Sequence, residues 1–288
     1  METHTAIDLS LARFVRRAYF KHLHQEWATT NLRIKKGKLR NLNFGRRIDT
    51  EKQLRECAQN YERAMGSTLP ISSIRLGANS RSANVILSLA PDPVPQAVNV
   101  SSNADVRVIL LLRQAGVVTK SPGIVVSGHA VDRVIQRCKL IELPISRGDL
   151  EAINAEFADA LPLACLACSV LSDQADRVEA EALTNILLPS AHGVFLASWL
   201  PEERRLLVKT FVDRRQLVQP QIEAVREISA LGEGQINAHI LDAMAPGWLQ
   251  LTRKDINRSL FDAWQHFGWR FDIERLHPGL SDDAWQLH

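Results

Sequence analysis

The segment with the most chemically useful side chains is SGHAVDRVIQRC, residues 127–138. On a helix of about 3.6 residues per turn, His129, Arg133 and Arg137 lie on one side and the apolar residues on the other. His129 falls in the first turn after a predicted strand, where free backbone N–H groups and the helix dipole favour an anion. Arg133 adds a planar guanidinium that suits phosphate oxygens. The segment predicts a phosphate site; the alternative is a solvated basic helix face.

The pattern H-A-x-x-R after a short strand, here HAVDR at 129–133, resembles a motif of small bacterial nuclease-toxin domains. That group includes barnase, EndoU, the colicin tRNases and RelE-like toxins, and the resemblance covers residues 123–213. It implies a helix packed on an antiparallel sheet and RNA cleavage without a metal. It also implies that Lys209 and Thr210 act from a late strand, with His192 on the strand before it.

The resemblance therefore implies a catalytic set of His129, Arg133, His192, Lys209 and Thr210. Cleavage of RNA through its 2′-hydroxyl requires a base, an acid for the 5′-oxygen and cations at the phosphorane. Two imidazoles can share the base and acid roles near neutral pH. The alternative is a structural role for these residues, with His192 as a surface or capping residue and Thr210 as a residue that favours strands.

The N-terminal part of the chain is basic. Residues 1–60 hold 13 Lys and Arg against 6 Asp and Glu, whereas the remainder of the chain is mildly acidic. This asymmetry predicts contact with nucleic acid, and the alternative is a solvated helix whose charges pair with the acidic remainder. The residues predicted to bind nucleic acid are Arg33, Lys35, Lys36, Lys38, Arg40, Arg46, Arg47 and Arg137.

The elements that position these residues follow from hydrophobic periodicity and from capping and turn residues. Helices are predicted over 7–30, 49–66, 129–139, 149–184 (with Asp149 as N-cap and a kink or restart at Pro162) and most of the chain after 216. Strands are predicted over 85–90, 123–128, 186–199 and 204–213, whereas 105–118 fits either a buried strand or a buried helix. The helical stretch within 140–185 is longer than the nuclease-toxin resemblance implies.

These elements predict an α+β fold, mostly helical, with a small antiparallel sheet in the centre and a helical C-terminal region. Four regions are expected: a basic helical N-terminal region at 1–66, an irregular connector at 67–104, an α+β core at 105–220 and the helical region at 221–288.

Composition excludes several classes of protein. With 45% hydrophobic and 23% charged residues the chain can build a core, so wholesale disorder is excluded. No apolar run is long enough for a transmembrane helix, and the N-terminus lacks a secretory pattern. Four cysteines suit a reduced, cytoplasmic protein, with Cys165 and Cys168 as core residues. Trp248, Trp264 and Trp269 predict a small aromatic core, with a base-stacking platform as the alternative.

The leading functional hypothesis is a metal-independent ribonuclease or toxin-like effector of bacterial type, without metal or cofactor. Its partner would be RNA rather than DNA, with a protein partner as a further option and no membrane contact. The alternatives are a non-catalytic nucleic-acid-binding or regulatory protein that uses the basic N-terminal region, and a protein-interaction module. Convergence of His129, Arg133, His192 and Thr210 in one groove would favour catalysis, and their dispersal would favour binding.

Overall fold

The structure is a computed structural model that describes residues 8–35, 83–91, 103–112, 116–138, 144–173, 185–232 and 253–271. The α-helices of these residues are α1 (Leu9–Lys35), α2 (Gly128–Cys138), α3 (Arg147–Asp173), α4 (Gln219–Gly232) and α5 (Arg253–Gly268). The strands are β1 (Ala83–Pro91), β2 (Ala104–Leu112), β3 (Gly116–Lys120), β4 (Ile124–Val126), β5 (Ile186–Pro189), β6 (Gly193–Leu200) and β7 (Arg205–Asp213). Short 3-10 helices follow β7 at Arg214–Gln216 and α5 at Trp269–Phe271.

The strands form one sheet in the order β1-β2-β4-β7-β6-β5, and β3 also pairs with β2. Five of the six strand pairs are antiparallel, but β4 and β7 are parallel. A parallel pair needs a long crossover, which α2, α3 and the β5–β6 hairpin supply. The fold is α+β, as the sequence predicts, but the sheet is mixed and has seven strands. The prediction of a small antiparallel sheet was wrong because local periodicity carries no information on strand direction.

The strands differ from the prediction in three segments of the chain. β1 lies within 67–104, the expected connector, and pairs along its whole length with β2 from Ala83 opposite Leu112 to Pro91 opposite Ala104. Of the segment 105–118, residues 105–112 and 116–118 lie in strands β2 and β3 and not in a helix. The segment 186–199 is not one strand but two, β5 and β6, separated by a tight turn. The helix predicted over 49–66 lies outside the described residues.

The start of α3 is fixed by a reciprocal pair of hydrogen bonds. Asp149 N donates to Ser146 Oγ at 3.2 Å, and Ser146 N donates to Asp149 Oδ2 at 2.6 Å. This is a capping box, in which two otherwise unbonded N–H groups are satisfied. The N-cap is therefore Ser146, and the prediction of Asp149 was three residues late. The helix continues through Pro162 to Asp173.

A single hydrophobic cluster includes residues of all five helices and of the sheet. At its centre Phe195 of β6 lies between Phe157 of α3, at 4.8 Å between ring centroids, and Phe211 of β7, at 4.9 Å. Trp264 of α5 is fully buried and donates from Nε1 to the Leu187 carbonyl at 3.1 Å. Trp269 is 44% exposed, so the expected aromatic core includes Trp264 but not Trp269.

Cys165 and Cys168 are buried thiols within α3 that are not in a disulfide, which confirms the prediction that they are core residues. The Cys168 thiol donates to the Pro122 carbonyl at 2.7 Å. Burial raises the pKa of the Cys165 thiol, so this group stays protonated and packs as a small apolar side chain. Of the helices that the structure describes, none has the length and apolar character needed to cross a bilayer.

Candidate functional site

The N-terminus of α2 is held against β7 by Ser127. Ser127 Oγ donates to the Lys209 carbonyl at 2.8 Å and accepts from the Ala130 amide at 3.1 Å. The Gly128 amide donates to Asn103 Oδ1 at 3.2 Å. The backbone N–H groups of Gly128 and Ala130, which were predicted to be available to an anion, are therefore already bonded to side chains. This makes the N-terminus of α2 a weaker anion site.

The polar face of α2 is largely covered by α1. Asp132 and Arg133 are only 3% and 8% exposed, whereas His129 is exposed. Arg16 of α1 donates from Nη1 to Asp132 Oδ2 at 2.8 Å. Burial raises the pKa of Asp132 to about 6, although the charges of Arg16, Arg13 and Arg133 lower it. The expectation of a solvated polar face is therefore correct for His129 and wrong for Asp132 and Arg133.

Replacing Asp132 by asparagine should remove one pH-dependent contribution to stability. Because the pKa of Asp132 in the folded state, about 6, exceeds the ordinary aspartate value of 3.8, the folded state holds this proton more tightly than the unfolded state. The stability that Asp132 contributes is complete below about pH 4 and is lost as the pH rises through about 6. We therefore compare the free energy of unfolding of wild type with that of Asp132→Asn. The difference, wild type minus variant, should fall between about pH 4 and pH 6 and stay level at higher pH. Urea unfolding at a series of pH values measures this difference, and a difference independent of pH would contradict the assignment.

His129 and Arg133 are brought together by α2 itself. Arg133 Nε lies 3.4 Å from His129 Nε2, and Arg133 Nη1 donates to Gln136 Oε1 at 3.1 Å. Burial lowers the pKa of Arg133 and the charge of Asp132 raises it, with burial the larger effect. The guanidinium is thus engaged within its own helix, and a phosphate there would have to compete with these contacts.

Arg137, predicted to bind nucleic acid, connects α2 to the end of β7. Its Nη1 donates to the Phe211 carbonyl at 2.6 Å, and its own carbonyl accepts from Arg215 Nη2 at 2.9 Å. Arg215 also bonds the carboxylate of Asp213, which accepts from the Arg215 amide as N-cap of the 3-10 helix. Burial raises the pKa of Asp213, but the hydrogen bonds and charge of Arg215 and the charge of Arg137 outweigh it and lower the pKa.

Lys209 and Thr210 lie on β7, as predicted, at an irregularity in its pairing. Thr210 pairs with Leu196 and Val208 pairs with Ala197, so Lys209 is the extra residue of a β-bulge. Lys209 Nζ donates to Asn185 Oδ1 at 3.0 Å, while its carbonyl accepts from Ser127. Both side chains are half-buried. The ammonium therefore has a neutral amide partner from the segment just before β5.

His192 lies in the turn between β5 and β6, not on a strand as the resemblance implied. Its Nδ1 is 2.6 Å from Glu156 Oε2 of α3, and its side chain is 62% exposed while that of Glu156 is 3% exposed. Glu156 Oε1 also accepts from Ser190 Oγ at 2.6 Å and from the His192 amide at 3.3 Å. Three contacts of one buried carboxylate thus fix both the turn and the imidazole. With Nδ1–H bonded to the carboxylate, Nε2 carries the lone pair and can act as a base.

Neither Glu156 nor Ser190 was recognised in the sequence as part of a site. The signal that was available is the position of Glu156 on the apolar stripe of the predicted helix, beside Ile153, Phe157 and Ala160. A carboxylate at a core-facing helical position requires hydrogen-bond donors, because burying it unpaired is costly. Arg214 was missed too; its amide donates to the His192 carbonyl at 2.8 Å.

Replacing Gly193, which follows His192, should strain this turn. A Cβ there would lie 2.2 Å from the Val212 carbonyl oxygen and 2.7 Å from the Phe211 ring. We expect Gly193→Ala to lower the free energy of unfolding by about 1–3 kcal/mol through overpacking, measured by urea unfolding. Gly148→Ala is the matched control, since its Cβ meets only Ser146 Oγ at 3.6 Å and alanine favours the helix. Equal stability of the two variants would contradict the close approach.

The predicted catalytic residues fall into two groups along β7. Ser127 holds the start of α2, which carries His129 and Arg133, beside Lys209 in the middle of β7, whereas the His192 turn adjoins Asp213 at the end of β7, where Asp213 pairs with Gly193. Asp213 lies four residues after Lys209, which corresponds to about 13 Å along the strand. The structure therefore brings His129 together with Arg133, and His192 together with Glu156, but it places the two pairs at different positions along β7.

Most of the predicted nucleic-acid-binding residues are beyond what the structure shows. Arg33 and Lys35 lie in the last turn of α1, and Lys36, Lys38, Arg40, Arg46 and Arg47 fall outside the described residues.

Among the described residues, no three His, Cys, Asp or Glu side chains are grouped to hold a metal ion. No protein-family model, curated protein or solved structure matches this chain.

Proposed function

We propose that this protein is a metal-independent endoribonuclease, or a toxin-like effector acting on RNA, with His192 as its acid–base group. The observation that carries the proposal is the His192 imidazole, held through Nδ1 by the buried Glu156 carboxylate and otherwise exposed. A carboxylate in this position fixes the ring tautomer and stabilises the imidazolium that forms when Nε2 takes a proton. The buried thiols of Cys165 and Cys168, which are not in a disulfide, suit action in the reducing cytoplasm.

The proposed reaction is an attack within the RNA chain. Nε2 of His192 takes the proton of a ribose 2′-hydroxyl, and the 2′-oxygen forms a bond to the adjacent phosphorus. The bond from phosphorus to the 5′-oxygen breaks, the departing oxygen takes a proton from water, and the imidazolium returns its proton to solvent. The products are a 2′,3′-cyclic phosphate and a 5′-hydroxyl. Arg214, next to His192 through its backbone, supplies positive charge for the phosphate oxygens in the transition state.

His129, Lys209 and Thr210 have a different role in this proposal, and the buried Arg133 positions His129. Lys209 and Thr210 precede Asp213 by four and three residues, about 10–13 Å along β7, and the start of α2 lies beside Lys209. These side chains would therefore contact a neighbouring stretch of the RNA backbone and not the scissile phosphate. Together with the basic residues after α1 they would hold and orient the strand. Their substitution should therefore weaken RNA binding more than it slows the chemical step.

The same separation favours a second candidate, a nucleic-acid-binding protein without catalytic activity. Lys209 and the buried Arg133 have partners within the protein, and Arg137 bonds a backbone carbonyl. In this reading the basic N-terminal region binds RNA, and Glu156 serves only to shape the turn that contains His192. Such binding should weaken steeply with salt, since phosphate contacts release counterions.

The experiment that separates the two candidates is incubation of the purified protein with single-stranded RNA in the presence of EDTA. The ribonuclease predicts fragments that form with wild type and not with His192→Ala purified in parallel, which also controls for contaminating nucleases. Intact RNA together with salt-dependent binding would reject the ribonuclease and support the second candidate. Fragments that form equally with both proteins would remove His192 from the mechanism.

A further inference from the structure

A cavity of about 260 Å³ opens directly beside the His192 turn, between that turn and α4. Its lining combines Ser190 and Gly193 of the turn with Arg214 and, from α4, Arg226. Two arginines line it, whereas none of the residues described in its wall carries a carboxylate. Both arginines are exposed, so their guanidinium groups can turn towards a ligand. The charge of the cavity therefore selects an anion.

The opposite part of the lining is apolar. Leu217 is buried, and Ile222 and Val225 of α4 are half-buried against the core. An inorganic anion would leave this surface uncovered, whereas a ligand with both an anionic group and a flat apolar body would cover it. The volume is at the lower limit of pockets for drug-sized ligands, about 300 Å³, so the occupant is a single small unit and not an oligomer.

We propose that this cavity binds one nucleotide unit of the RNA substrate, next to the bond that is cleaved. The base would lie against Ile222 and Val225, and the phosphate would bond the guanidinium of Arg226. Ser190 connects this subsite to the chemistry, because it lines the cavity while its hydroxyl shares the Glu156 carboxylate with His192. This inference rests on the proposed ribonuclease function for the identity of the ligand, but its contacts are independent of His192.

The test is isothermal titration of the whole protein with the four nucleoside 3′-monophosphates, with the four corresponding nucleosides, and with inorganic phosphate. We expect at least one nucleotide to bind more tightly than both its nucleoside and phosphate. Arg226→Gln should weaken that nucleotide about tenfold or more, since a charge-assisted contact is lost. Val225→Phe should abolish binding by filling the cavity. Arg204→Gln, which changes an exposed arginine of the turn between β6 and β7, at the opposite end of that hairpin from Gly193, is the matched control and should bind as wild type does.

The outcomes that overturn the subsite are definite. Absence of binding by all four nucleotides, equal affinity for nucleotide and phosphate, or the same affinity in Arg226→Gln and Arg204→Gln would each reject it. If wild type cleaves RNA but Arg226→Gln binds nucleotide as tightly as wild type does, the subsite is rejected and the proposed ribonuclease function stands. If wild type cleaves no RNA but its nucleotide binding is weakened in Arg226→Gln, the ribonuclease function is rejected and the subsite stands.

Discussion

Replacing His192 by alanine should slow RNA cleavage by about 10²- to 10⁴-fold, the usual contribution of one acid–base group. The midpoint of thermal unfolding should fall only modestly, because the His192 side chain is 62% exposed and the buried Glu156 carboxylate keeps its bond from Ser190 when the imidazole is removed. The rate is measured under single-turnover conditions, so that substrate binding and product release do not mask the chemical step. Loss of activity accompanied by a large fall in the melting midpoint would indicate a structural role for His192 instead.

Two variants make that result specific. Glu156→Gln keeps the size of the side chain but replaces a carboxylate oxygen by an amide, so it cannot accept all of the bonds from Ser190 and His192. It should slow cleavage and also destabilise the protein, since a buried network is then left unsatisfied. His129→Ala removes the same side chain from another exposed position and should alter RNA affinity, with a much smaller effect on the single-turnover rate. Equal rate losses in His129→Ala and His192→Ala would contradict the assignment of the chemistry to one end of β7.

Replacing Val134 by aspartate should unfold the protein. Val134 is fully buried on the core-facing side of α2, and an unpaired carboxylate at such a site costs several kcal/mol. That cost is comparable with the 5–15 kcal/mol by which small domains are usually stable. Circular dichroism and urea unfolding should show a protein without a cooperative transition at neutral pH. Val134→Ala, which removes volume without adding charge, should remain folded with a lower urea midpoint; native stability of Val134→Asp would show that the position is accessible to water.

The parts of the fold that the sequence predicts well are those with local patterns. The helix predicted at 129–139 is observed as Gly128–Cys138, because its apolar residues share one face. The hairpin around residues 200–205 is also as predicted, because two apolar strands flank a short polar connector. By contrast, the parallel pairing of β4 with β7 depends on the path of the intervening chain and has no local signature.

The sequence predicted individual residues of the candidate site but not the tertiary contacts between them. Asp132 meets Arg16 across 116 residues of sequence, so the burial of the α2 polar face could not be read from the helix itself. Glu156 meets His192 across 36 residues, and its position on an apolar helical stripe was the one hint of a buried polar contact. Residue types and periodicity identify groups capable of chemistry, whereas their grouping follows from tertiary contacts.

The most direct test of the central claim is the chemical nature of the RNA ends that the wild-type protein produces in EDTA. The mechanism requires the 2′-hydroxyl of the cleaved nucleotide, so the account predicts fragments that end in a 2′,3′-cyclic phosphate and begin with a 5′-hydroxyl. An RNA with a single 2′-deoxynucleotide at the preferred position should resist cleavage at that position alone. Fragments with 3′-hydroxyl and 5′-phosphate ends, or undiminished cleavage at the 2′-deoxynucleotide, would contradict the account.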